Sequence, residues 1–184
     1  MAPAHRTRDE WLVLRCQSGD AKAFEELVRE MERPLLYFVQ KLLGDHDTSL
    51  DVMQDVWIKV FRTLSRLEKP ASIRAWLYQT ARSLAIDRIR KDAAQRKREQ
   101  LHADDVGRAW EVPRFGADEA AEIHTALDAL DVTHREVLVL GFLEEMSIAE
   151  IALVVGCPEG TVKSRIHYAK VALAKALKEK RYAQ

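Results

Sequence analysis

Apolar residues recur at three- and four-residue intervals along most of this chain, and no segment shows the two-residue alternation of a half-buried strand. The pattern predicts an all-α protein. Phe24, Leu27, Val28 and Met31 form the first strong stripe, with Asp20 placed to cap their helix, and Pro34 is expected to open a continuation, PLLYFVQKLLG, that stops at Gly44. A further helix is expected to open at Ser49. Its stripe is Leu50, Met53, Trp57, Val60 and Leu64, which leaves Asp51, Asp55, Lys59 and Arg62 on other faces. Glu68, Lys69 and Pro70 break the pattern, and Ser72 can then cap SIRAWLYQTARSLAIDRIRK, where Ile73, Leu77, Ala81 and Leu84 face a core. Residues 1–19 stand before these helices as an N-terminal segment, so the first helical domain is expected over 20–92.

Beyond Lys91 the periodicity fades. Residues 93–117 contain Gly107, Pro113 and Gly116 and few aliphatic residues, so they are expected to form a flexible linker, with Trp110, Val112 and Phe115 able to dock elsewhere. A second helical domain follows over 118–180. Its segments run through Ile123, Leu127 and Leu130, from Thr133 to Phe142, and from Ser147 to Val155, before a last helix. Thr133 with Glu136 and Ser147 with Glu150 have capping-box spacing, a hydroxyl and a carboxylate three residues apart at a helix start.

Composition changes the picture only once it is located. The 184 residues are 47% hydrophobic, enough to build one medium domain or two small ones, and the formal net charge is zero. That neutrality is local cancellation. Residues 81–100 carry seven cations against three anions, 101–130 two against seven, and 158–184 seven against two. Two basic segments divided by an acidic linker are the distribution expected of two polyanion-binding modules on a tether. Cys16 and Cys157 have no CxxC or Cys/His spacing, so neither a disulfide framework nor a metal site is expected. Nothing approaches the roughly twenty apolar residues of a membrane span, and MAPAHRTRDE lacks the apolar centre of a signal peptide, so a cytoplasmic protein without membrane insertion is expected.

The second basic segment carries a motif. From Ser147 the pattern reads helix, tight turn at Gly156 and Cys157, then a helix that Pro158 can enter, which is a helix-turn-helix. At 100° per residue, Val162, Ile166, Ala169 and Leu173 fall on one side of PEGTVKSRIHYAK and its continuation, to be buried against Ile148, Ile151, Ala152 and Val155. Gly160, Thr161, Lys163, Ser164, His167 and Tyr168 are then exposed, with Arg165 and Lys170 on the flanks. Hydrogen-bonding groups at the centre and cations at the edges suit a helix lying in a major groove, because base edges are read at short range and phosphates by charge.

SIAEIALVVGCPEGTVKSRIHYAKVAL resembles region 4 of the bacterial sigma-70 family, in particular its extracytoplasmic-function (ECF) group, whose recognition helix commonly reads GTVKSR. DVMQDVWIKVFRTL resembles region 2.2, and SIRAWLYQTARSLAIDRIRK resembles regions 2.3 and 2.4. The likeness runs from about Asp20 to Leu177 in the family's order, without regions 1.1 or 3. It implies two domains, a region 2 bundle and a region 4 helix-turn-helix, that join core RNA polymerase through the β′ clamp and β flap and bind promoter DNA.

The resemblance also assigns residues. Thr161, Lys163, Ser164, Arg165, His167, Tyr168 and Lys170 are expected at the −35 element. Trp76, Tyr78, Gln79, Arg82, Ser83 and Arg90 are expected at the −10 element, with Tyr78 on an exposed stripe and Trp76 either core or a wedge at the strand-separation boundary. Asp51, Gln54, Asp55, Trp57 and Lys59 are expected to hold the clamp, although Trp57 also fits the core stripe. The loop RLEKPAS matches the place where the family captures a flipped −10 base, which costs a few kcal/mol of lost stacking. Ser83 stands where the family often has Asn and Tyr168 where it often has Arg, so base preferences do not transfer. An anti-sigma partner is implied; cofactors and catalysis are not. The alternatives are a helix-turn-helix regulator that does not join the polymerase, which leaves DVMQDVWIKVF without a role, and an enzyme using His46 or Cys16, for which no partner stands at a catalytic spacing.

Overall fold

A computed structural model describes the backbone of residues 4–99 and 118–182 and the side chains of residues 7–95 and 122–178. Among the described residues the structure is helical, with no strand. It divides into two compact units, the body of the first lying within residues 1–89 and that of the second within 90–152 and 156–184. Most of the expected linker, with Trp110, Val112 and Phe115, lies outside the described residues.

In the first unit, α1 (Ala4–Gln17) precedes α2 (Ala21–Leu43), α3 (His46–Thr63) and α4 (Ile73–Glu99). The pattern had left residues 1–19 without an element, because Trp11, Leu12, Val13 and Leu14 are contiguous rather than periodic; Leu12 and Val13 are nevertheless fully buried. Asp20 caps α2 as expected, accepting from the Lys22 and Ala23 amides. That helix ends at Gly44, whose φ of +72° favours glycine and whose N–H reaches the Gln40 carbonyl. Pro34 does not begin a new helix. It lies inside α2, and the missing bond to the Glu30 carbonyl is tolerated because Met31, Leu35, Phe38 and Val39 bury the helix on either side of it.

The expected start at Ser49 is also corrected. Asp45 caps α3 by accepting from the Thr48 amide at 2.7 Å, while Ser49 is buried one turn inside, its hydroxyl donating to the Asp45 carbonyl. The buried face is Val52, Met53, Val56 and Val60, and Leu50 is 42% exposed. Between α3 and α4 the chain makes two 3₁₀ turns, Leu64–Arg66 and Pro70–Ser72. Ser72 occupies the position before α4, but its hydroxyl donates to the Lys69 carbonyl rather than accepting from the helix. Helix α4 buries Ile73, Leu77, Tyr78, Ala81 and Ala85, with Leu84 half-buried. It runs on to Glu99, past the expected end at Lys91, because DAAQRKRE is rich in strong helix formers and has no proline or glycine.

The second unit comprises α5 (Asp118–Asp128), α6 (Val132–Leu138) with a π-helical turn (Val139–Leu143), α7 (Ile148–Val155) and α8 (Glu159–Tyr182). Its core includes Leu127, Leu130, Val137, Leu138, Leu140, Ile151, Val162 and Ala169. The Arg135 guanidinium donates to the carbonyls of Leu127, Asp128 and Leu130, occupying acceptors that the end of α5 leaves open. The Ser147–Glu150 capping box forms as expected. The Thr133–Glu136 box does not: Asp131 takes the cap, accepting from the Thr133 and His134 amides, and Glu136 turns into the interior. A Cβ added at Gly141 would stand 3.4 Å from Ile151 Cδ1 and 4.0 Å from Ile166 Cδ1, so the π turn runs close against both helices of the motif.

Candidate nucleic-acid interface

The helix-turn-helix is formed by α7, a turn and α8. Gly156 makes the turn at φ +70° and its N–H closes on the Ala152 carbonyl; the Pro158 carbonyl then accepts from the Thr161 and Val162 amides, one place before the first helical residue. Val162 and Ala169 are fully buried, and Ile166 and Leu173 are half-buried. The opposite side is open. Thr161, Lys163, Ser164, His167, Tyr168 and Lys170 are all exposed, in the distribution that the pattern predicts. Two contacts orient this surface: the His167 and Tyr168 rings meet edge to face at 5.5 Å, and the Lys170 ammonium sits 4.8 Å from the centre of the Phe142 ring. The Ser164 hydroxyl donates to the Gly160 carbonyl, leaving its oxygen able to accept.

Arg165, on the expected flank, has a second neighbour. Its guanidinium, about a third exposed, lies 3.7 Å from the carboxylate of Glu136, whose side chain is 1% exposed, so part of its charge is engaged with α6.

On α4 the expected stripe changes its aromatic member. Tyr78 is fully buried, its ring edge-on to Phe38 at 5.2 Å, so it cannot stack on a base. The expectation failed because 78 lies about 100° from 79 around the helix, on the side turned to α2. The arc that does contain Gln79, Ser83 and Arg90 also contains Trp76, which is half-buried, with Arg82 at its margin. Trp76 is therefore the aromatic group that shares a face with the exposed polar residues.

On α3, Asp51, Gln54, Asp55 and Lys59 are exposed. Trp57 is half-buried, edge to face with Phe24 at 6.3 Å, and its indole nitrogen is buried without a hydrogen-bond partner, so it belongs to the packing. The pattern missed Ile58 and Phe61. Ile58 is 49% exposed and Phe61 70% exposed, on the arc of Asp51, Gln54 and Asp55, and Phe61 meets Phe24 at 5.2 Å. The available signal was that neither residue fits the buried stripe, which leaves an apolar group among acids.

Among the described residues no helix is long and apolar enough to cross a membrane.

Comparison with known proteins agrees with both halves of this geometry. Residues 27–95 match the family description Sigma-70 region 2, and residues 120–173 match Sigma-70, region 4. The RNA polymerase sigma-H factor of Pseudomonas aeruginosa is 32% identical, over 92% of this chain and 94% of that one. The ECF RNA polymerase sigma factor SigW of Bacillus subtilis is 28% identical, over 91% and 95%. Among solved structures, the sigma factor RpoE of Bartonella quintana, crystallised with the anti-sigma factor NepR, is similar at a TM-score of 0.75 and 25% identity, over 86% of this chain and 98% of that one. With a region 2 bundle and a region 4 helix-turn-helix in that order, and relatives matched along nearly their whole length, the chain belongs to the extracytoplasmic-function group of the sigma-70 family.

Proposed function

We propose that this sigma factor joins bacterial core RNA polymerase through the exposed arc of α3 and directs initiation by holding promoter DNA at two elements. Asp51, Gln54, Asp55 and Lys59 give a polar rim around Ile58 and Phe61, the arrangement of an apolar centre ringed by polar groups that protein interfaces use. Trp76, Gln79, Arg82, Ser83 and Arg90 face the −10 element, where an indole can stack on an unpaired base while guanidinium groups hold phosphates. Thr161, Ser164, His167 and Tyr168 read the −35 element, and Lys163 and Lys170 hold its backbone. The chain catalyses nothing itself; the polymerase supplies the chemistry, in the cytoplasm. The RpoE–NepR complex supports an anti-sigma partner for this factor as well, one that would cover DNA- or polymerase-binding surfaces until released.

The observation that carries this function is α8, whose polar and cationic residues occupy one open side while Val162 and Ala169 close the other. A regulator acting without polymerase would use the same helix, but the acid-rimmed apolar arc of α3 would then have no role. Run-off transcription with core polymerase, on promoters selected from genomic fragments, is expected to depend on this protein. Replacing Asp51 and Asp55 together by Ala is expected to abolish core binding and initiation while leaving the helical circular dichroism unchanged. Promoter-dependent initiation that survives the double replacement would remove α3 from the polymerase contact.

A further inference from the structure

Helix α1 lies before the segment that matches region 2, which begins at residue 27. Its contacts nevertheless reach both ends of the loop between α3 and α4. At the entry, the Gln17 carboxamide donates to the Leu64 carbonyl at 3.2 Å and to the Leu67 carbonyl at 2.9 Å, both donor hydrogens of one side chain spent on backbone some fifty residues away. At the exit, the Asp9 carboxylate, 4% exposed, pairs with the guanidinium of Arg74 in the first turn of α4. Gln17 lies eight helical steps after Asp9, about 12 Å at 1.5 Å per residue, so one rigid rod holds both ends. Leu12 and Val13, buried between them, fix the rod itself. The span that remains open, Arg66, Glu68, Lys69 and Ala71, is exposed.

We propose that α1 is a brace for the base-reading loop of the −10 site, with Gln17 and Asp9 as its positioning residues. This rests on the assignment of RLEKPAS as the place where a flipped −10 base is captured. Extruding a base costs a few kcal/mol, and a loop recovers that cost only if its pocket is already formed, since a loop ordered on binding gives up part of the gain as lost entropy. Two carbonyls held by one carboxamide restrict the loop at the turn where it leaves α3. The Asp9–Arg74 pair sets where it re-enters helix. Gln17 acts through the backbone carbonyls of Leu64 and Leu67, and Asp9 through the side chain of Arg74.

The test uses the full chain with core polymerase. Gln17→Glu keeps the shape but removes the donors, so it cannot hold Leu64 and Leu67, whereas Gln17→Lys keeps a donor. The readout is the ratio of initiation on the parent promoter to that on promoters with single −10 substitutions. Losing hydrogen bonds worth about 1 kcal/mol is expected to lower that ratio about fivefold in Gln17→Glu, with core binding unchanged, the unfolding temperature lowered by only about 2–4 °C, and Gln17→Lys close to the parent. Lys69→Ala, within the loop, tests the underlying assignment. If Lys69→Ala changes −10 selectivity and Gln17→Glu does not, the brace is wrong and the loop assignment stands. If neither changes it, the loop assignment fails and the brace with it. Loss of core binding, or an equal fall in initiation on parent and substituted promoters with the ratio unchanged, would reduce Gln17 to a packing role and overturn the proposal.

Discussion

Glu136 places a carboxylate in the interior of the second unit, where Arg165, on the helix that carries the reading surface, approaches it at 3.7 Å. Burying one member of an ion pair makes the pair costly to break. Removing the partner of a buried charge costs about 3–5 kcal/mol when both groups are enclosed. Arg165 is about a third exposed, so water screens part of its charge and the cost is smaller. Glu136→Ala leaves that guanidinium unmatched against the core of α6 and is expected to destabilise the second unit by about 2 kcal/mol, read as a lower unfolding temperature of the full chain by circular dichroism. A change within about 0.5 kcal/mol, the usual range for an exposed position, would mean that the pair contributes nothing. This contact was not legible in the sequence: helical angle gives the side of α8 on which Arg165 stands but says nothing about a carboxylate arriving from another helix.

At the scale of elements, a short polar side chain before the first apolar stripe located helix starts to within a few residues, though not always the residue that caps. Asp20 and Ser147 cap as read. Asp45 and Asp131 also cap, each a few residues before or in place of the hydroxyl that the pattern favoured, because an ionised carboxylate accepts from amides more strongly than Ser or Thr. Their environment shifts their acidity. The Thr133 hydroxyl, with the amides of His134 and Thr133, holds the Asp131 carboxyl below the usual carboxylate range, and the Thr48 hydroxyl and amide do the same for Asp45. A carboxyl with a lowered folded-state pKa stabilises the protein above its unfolded value, about pH 4, and that contribution disappears as pH falls through the lowered value. Asp131→Asn still caps but does not titrate, so it is expected to flatten the fall in melting temperature below about pH 4, while Asp131→Ala loses about 1 kcal/mol at neutral pH. An unchanged acid limb in Asp131→Asn would show that other carboxylates govern it. What the pattern could not supply was tertiary: α1 has contiguous apolar residues instead of a stripe, Tyr78 is turned inward by Phe38, and Ile58 and Phe61 stay exposed on a helix whose core demand is already met.

Across the whole molecule, zero net charge leaves no net attraction of the chain as a whole to DNA, and at physiological salt the Debye length of about 8 Å confines each charge to its neighbourhood. Affinity for promoter backbone must then come from local cations, above all those that α8 leaves exposed. Each phosphate neutralised releases counterions, so the dependence of log affinity on log salt steepens by about 0.9 per contact. Lys163→Ala and Lys170→Ala are each expected to lower that slope by about one unit in the polymerase–promoter complex and to weaken parent and altered −35 sequences alike. Ser164→Ala and His167→Ala should leave the slope unchanged and instead narrow the preference for the parent −35 sequence, by about 1–3 kcal/mol where a paired base contact is lost. Arg165→Gln separates the two classes, because its guanidinium lies 3.7 Å from the Glu136 carboxylate: with its charge spent there, the change should reduce binding without altering the slope. Filter-binding titrations over a range of potassium chloride concentrations measure all five variants. A one-unit fall in slope for Arg165→Gln would return that residue to the phosphate contacts. An unchanged slope for both lysine variants would move the −35 contact off this face of α8.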